Sequence, residues 1–162
     1  MKTIEQIKKI ESVVLYVLRN FPEGVDYIKL FKIIYFAQKE YLVNYGKVLC
    51  PDTFKARKFG PVPALSDKVI KLVELEDEDI DQYPDLMRFR NSIRVTDQKV
   101  FGIAEPDMDY LSQKECEYLD KWFVYCKECR GFPWRKDQGR EPGRRRPEIQ
   151  LFSCAISVSQ KK

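Results

Sequence analysis

The chain has 162 residues, 44% of them apolar and 13% aromatic, enough for one domain with a modest core and hardly enough for two. It contains no histidine, which excludes Ser-His-Asp and Cys-His catalysis, facial-triad iron sites and His-bearing zinc fingers. The formal net charge of +4 belongs to the tail alone: residues 1–126 hold 19 Lys+Arg against 21 Asp+Glu, and residues 127–162 hold 10 against 4.

No run of about 18 apolar residues exists, so a transmembrane helix is not expected. The opening "MKTIEQIKKIESVV" carries charges where a signal peptide needs its apolar stretch, and the expected location is the cytoplasm. The five cysteines then read as free thiols.

Thr3 and Gln6 stand in capping-box spacing, and Ile4, Ile7, Ile10, Val14, Val17, Leu18 and Phe21 follow with helical period. Pro22 and Gly24 end this first helix near residue 20. Asp26 can cap a second helix, "YIKLFKIIYFAQKEYLVNY", closed by Gly46. Its apolar positions, from Ile28 through Leu42, cover more than one narrow stripe, which predicts a central helix packed on several sides. Tyr35 and Phe36 are neighbours on it and so point to different sides.

The stretch "FKARKFGPVPA" (54–64) places Gly60, Pro61 and Pro63 directly after a basic and aromatic cluster. Gly60 permits backbone conformations that a Cβ forbids, and Pro61 fixes the next φ. The stretch is expected to aim a third helix, roughly 64–75, against the central one. The alternative is that Arg57, Lys58 and Phe59 form part of a partner-binding face. The acidic run "ELEDEDID" (74–81) reads as a solvated loop, with a docking surface for a basic partner as its alternative.

Residues 88–104 lose the helical period. Ile93 and Val95 alternate with polar neighbours, "TDQ" is a turn, and "KVFGI" is β-prone, which predicts a small antiparallel hairpin. Ser112 and Glu115 form a capping box, with Leu111 and Cys116 placed as its hydrophobic staple. A fourth helix follows, bearing Leu119, Trp122, Phe123 and Cys126. From about Lys127 the pattern collapses into Gly, Pro and Arg without period.

Chemistry-bearing patterns are sparse. No GxxxxGK[ST] or GxGxxG phosphate loop is present. Cys126-Lys-Glu-Cys129 lies at the end of a helix, the wrong end for a redox CxxC, and a zinc site would need Cys116 plus Cys50 or Cys154. Asp77, Glu78, Asp79, Asp81, Asp107 and Asp109 lie in polar, loop-like contexts without the burial that acid catalysis requires. The expectation is a non-enzymatic protein without cofactor or metal.

Taken together, "LFKIIYFAQKEYLVNYGKVL" (30–49) and "FKARKFGPVPALSDKV" (54–69) resemble the SocA-like antitoxin family, or Panacea domain. Lys32, Ile34, Tyr35, Phe36 and Ala37 match the first family motif. Tyr41, Gly46 and Leu49 fit the link, and Phe54, Ala56, Gly60, Pro61 and Val62 match the second. Arg57 stands where the family usually has an aromatic. The order of elements fits over residues 5–126, and the specific part is 30–69.

The resemblance implies an antitoxin of a bacterial or phage toxin–antitoxin pair, which neutralises a toxin encoded beside it by direct contact. At least one member acts as an adaptor that delivers its toxin to a Clp-type protease. The expected architecture is one α+β, mostly α-helical domain over residues 1–127 with a small antiparallel β-hairpin. A basic, Gly/Pro/Arg-rich and poorly ordered tail follows over 128–162. That tail departs from the family, which usually has a Ser/Thr-His segment near a Trp, and it is read as encoded out of frame or as belonging to a truncated paralogue. The rival function is a nucleic-acid-binding regulator that places Arg140, Arg144, Arg145 and Arg146 on phosphates.

Overall fold

A computed structural model describes residues 2–76 and 84–128 of the chain. The basic tail, and the acidic run beyond Glu76, therefore lie outside the described residues. The described architecture is α+β and mostly helical, as the sequence predicts. Its helices are α1 (Ile4–Leu18), α2 (Tyr27–Tyr45), α3 (Ala64–Glu74), α4 (Pro84–Ser92) and α5 (Gln113–Glu128). A three-stranded antiparallel sheet runs in the order β1 (Val25–Asp26), β5 (Lys99–Gly102), β4 (Ile93–Thr96), and β2 (Phe54–Arg57) pairs separately with β3 (Gly60–Pro63). No helix among the described residues is long and apolar enough to cross a membrane.

Local chemistry sets the helix starts. The Thr3 hydroxyl accepts from the Gln6 amide at 3.2 Å while the Thr3 amide donates to Gln6 Oε1 at 3.0 Å, which completes the capping box of α1. Asp26 caps α2 by accepting from the Ile28 amide at 2.8 Å. Before α5, the Ser112 amide donates to Glu115 Oε2 at 2.8 Å, and Leu111 and Cys116 are both buried, as a staple requires. The β4–β5 turn falls on Asp97 and Gln98, both with positive φ, so the hairpin closes through a left-handed two-residue turn.

The centre of the core is α1 rather than α2. Every residue from Ile10 to Leu18 is buried, because α2, α4, α5 and β5 all pack against this helix. The second helix does pack on several sides, against α5, β3, α1 and β1, and α5 is its most extensive neighbour. Two polar ties join α1 to the α5 region. Lys9 Nζ donates to Glu115 Oε2 and to the Tyr110 carbonyl, each at 2.6 Å, and the Tyr16 hydroxyl donates to the Asp120 carboxylate at 3.0 Å.

The helix α4 and the strand β1 are among the elements that escape the sequence pattern. The helix α4 occupies residues 84–92, part of which the loss of helical period assigned to strand. Only Leu86 and Phe89 among its apolar residues are buried, one turn apart, which is too few to register as a period. The strand β1 has two residues and gains its definition only from pairing Val25 with Val100 and Asp26 with Lys99.

Phe89 is fully buried, whereas Phe36 is half-buried. Phe89→Ala should therefore destabilise the fold by about 3–5 kcal/mol in urea titrations, and Phe36→Ala by clearly less. A larger effect at Phe36 would contradict the packing described.

Glu11 offers a second check. Burial raises its carboxyl above the ordinary glutamate value, offset in part by the Arg88 guanidinium at 3.4 Å and the Ser92 hydroxyl. A carboxyl raised on folding favours the folded state while protonated. Its contribution is thus full below the ordinary glutamate value and is lost as pH rises through the raised one. The stability gained by Glu11→Gln should be greatest at neutral pH and should vanish on acidification, read by denaturant titration at a series of pH values.

Candidate functional site

The two sequence motifs converge on one part of the molecule. From the first, Ile34 and Ala37 are fully buried in α2, and Lys32 is buried beside them. Tyr35 and Phe36 are both half-buried; their rings meet edge-on at 5.5 Å, and each also meets a different element. The Tyr35 ring packs edge-on against Phe54 of β2 at 5.5 Å, while the Phe36 ring stacks on Trp122 of α5 at 4.9 Å. Trp122 Nε1 in turn donates to Glu40 Oε2 at 2.7 Å, so the apolar stack ends in a hydrogen bond. Tyr41 is buried one turn on, against Tyr45 and Tyr118 at 4.9 and 5.5 Å. Gly46 closes the helix in the left-handed conformation, donating its N–H to the Leu42 carbonyl at 2.8 Å.

The link between the motifs folds back along α2. Gln38 Oε1 accepts from the Leu49 and Cys50 amides at 2.8 and 2.7 Å, and both residues are fully buried. Lys2 Nζ donates to the Pro51 carbonyl. Burial pushes the Cys50 thiol up to about 12, which makes it a packing group and not a nucleophile. Cys116 and Cys126 are likewise buried, and Cys129 lies outside the described residues.

The second motif forms a hairpin, not a single corner. Phe54 pairs with Pro63, Lys55 with Val62, Ala56 with Pro61 and Arg57 with Gly60. Pro61 and Pro63 occupy alternate positions of β3, the spacing at which their missing N–H groups face away from β2. The ladder survives, and the outer edge of β3 offers no donor there to a foreign strand. Gly60 has a φ of +118°, and an added Cβ would meet nothing within 4 Å. The requirement for glycine is thus conformational and not steric.

A buried carboxylate holds the base of this hairpin. The N-cap position of α3 is Pro63, which has no side chain able to cap. Asp52 does the capping from eleven residues upstream of it. Its Oδ1 accepts from the Leu65 amide at 3.0 Å, and its Oδ2 from the Ser66 amide and hydroxyl at 3.0 and 2.9 Å. The Ala64 amide donates to the Thr53 carbonyl at 2.8 Å, so the first turn of α3 is fully satisfied. Residue reading missed Asp52. A usable signal existed: a helix that starts after proline with no Ser, Thr, Asp or Asn at its cap needs a carboxylate from elsewhere.

The consequence is a projecting element on a fixed base. Arg57, Lys58 and Phe59 are all exposed at the tip, as is Ala56 beside them, and Lys58 Nζ lies 5.4 Å from the Phe59 ring centroid. Pro61 and Val62 are half-buried where β3 packs on α2. The expectation that this stretch aims the third helix at α2 is corrected in part. The hairpin itself packs on α2, whereas the main neighbours of α3 are β4 and α4. The Asp52 clamp turns the chain away from α2 before the helix begins.

A family model described as antitoxin SocA-like, Panacea domain, matches residues 30–132. The chain belongs to this family. No curated protein and no solved structure gives a significant match. The matched region of this Panacea domain starts within α2, takes in the hairpin and the Asp52 clamp, and runs past the end of α5. The arginines of the rival nucleic-acid reading, Arg140, Arg144, Arg145 and Arg146, lie outside both the match and the described residues.

Removing the clamp should loosen this element. Asp52→Ala should cost about 2 kcal/mol, at the upper end for a lost N-cap, and should accelerate amide exchange at Leu65 and Ser66 before other helical amides. Gly60→Val should destabilise by about 1–3 kcal/mol through its disallowed φ, while Lys58→Ala stays within about 0.5 kcal/mol.

Proposed function

We propose that this Panacea domain is an antitoxin that neutralises a toxin encoded beside it by direct protein–protein contact, with the hairpin tip Arg57-Lys58-Phe59 as part of the contact face. The observation that carries the reading is the family match over residues 30–132. The hairpin supports it: the tip is exposed, while its base is fixed by Asp52 and by packing on α2. A rigidly held tip loses little conformational entropy on binding, which favours tight contact from a small area. Phe59, 49% exposed and preceded by Arg57 and Lys58, has the composition of an interface centre. The reaction is recognition, and the protein is no enzyme. Delivery of the bound toxin to a Clp-type protease is a second way the same contact could protect a cell.

Growth rescue tests the reading. The product of the adjacent open reading frame, expressed alone, should arrest growth, and co-expression of this chain should restore it. Lys58→Ala with Phe59→Ala should leave the melting temperature within a few degrees yet abolish rescue. Rescue that persists in a host lacking Clp proteases supports neutralisation by contact, and rescue lost there supports delivery. An adjacent product that never arrests growth would refute the proposal.

A further inference from the structure

Between the hairpin and α3 lies a cleft of about 330 Å³. One wall is a single strand face: Lys55 and Arg57 are alternate residues of β2, and Val62 stands opposite Lys55 on β3. The other wall is one face of α3, where Lys68, Lys71, Leu72 and Leu75 recur at three- and four-residue spacing. Among the described residues that line the cleft, four cations stand around a short apolar strip with one carboxylate, Asp67, which pairs with Lys71 at 2.6 Å. Leu75 is 73% exposed at the end of that strip. A body that is slightly acidic over residues 1–126 concentrates positive charge here.

We propose that this cleft binds an acidic segment of a partner protein that carries an apolar side chain among its carboxylates. Charge complementarity selects the acidic groups, and the Val62-Leu72-Leu75 strip takes the apolar one. A nucleic-acid backbone fits less well. It offers no aliphatic group to the strip. The inference rests on the antitoxin reading in one respect: the partner that supplies the segment is the toxin.

The test uses the full chain and a short labelled peptide alternating glutamate and leucine, followed by fluorescence anisotropy. A lysine–leucine peptide and a single-stranded oligonucleotide of matching length serve as comparisons. The acidic peptide should bind saturably. The charge reversals Lys55→Glu and Arg57→Glu together should weaken it at least about tenfold, and Leu75→Ser should weaken it also. The same reversals at Lys99 and Lys114, remote in sequence from both walls, should have little effect. All five positions are exposed, so unchanged thermal melts establish that the variants fold.

Equal losses at the control lysines would overturn the proposal, as would binding indifferent to Leu75. So would an oligonucleotide held more tightly than the peptide through the same residues. Peptide binding gained only after the acidic run 76–81 is neutralised would also overturn it, by making the chain's own segment the occupant. The two readings separate cleanly. A chain that binds the peptide through the cleft but rescues no growth loses the antitoxin reading alone. A chain that rescues growth but binds no peptide loses the cleft.

Discussion

One buried carboxylate does more for this architecture than any other side chain. Asp52 supplies the cap that Pro63 cannot, and in doing so joins the end of the α2 link to the first turn of α3. Everything between the two contact points, the whole hairpin, becomes a closed excursion with a fixed base. Without that cap, two amides and a serine hydroxyl at the head of a helix would face a poorly solvated site with no acceptor, a cost that folding seldom tolerates. The helix dipole adds to the attraction, because a carboxylate at an N-terminus sits against its positive end.

The hairpin also depends on what lies beneath it. Its inner face is held by the edge-on contact of Phe54 with Tyr35, and Phe36 on the neighbouring helical position reaches the other way to Trp122. Adjacent residues of α2 thereby connect the hairpin to α5. That arrangement places the candidate contact face on one side of α2 and a hydrogen-bonded seam on the other, where Glu40 receives Trp122 and Asn44 donates to Tyr118 at 2.8 Å. The buried stretch of α1 from Ile10 to Leu18 supports both, and the helix is tied to the α5 region through Lys9 and Tyr16 by groups that sit at the edge of the core. Such ties add little net stability but fix which rotation of the helices is satisfied.

The limits of sequence reading follow from the range of the forces involved. Thr3 with Gln6, Asp26, Gly46 and Ser112 with Glu115 act within a few residues, and each marks a boundary in the sequence that the structure keeps. Helix α4 was missed because its buried side consists of Leu86 and Phe89 alone. The strands β2 and β3 give no strand signal in the sequence because two prolines in one strand argue against a strand, unless that strand is an edge and the prolines alternate. The family was legible, since its motifs consist of residue types at fixed separations, and the family match over residues 30–132 agrees with that reading.

The sequence by itself determined the fold class, the ends of α1 and α2, the start of α5, the β4–β5 hairpin and the family, because these rest on local capping, on φ preferences and on ordered motifs. Tertiary structure decided that α1 and not α2 is the centre, that Asp52 caps a helix it does not precede directly, and that a basic, apolar cleft opens between hairpin and helix. The physical reason is common to all three. Each depends on groups distant in sequence meeting in space, and no periodicity or propensity along the chain encodes which distant partner a buried carboxylate or an apolar face will find.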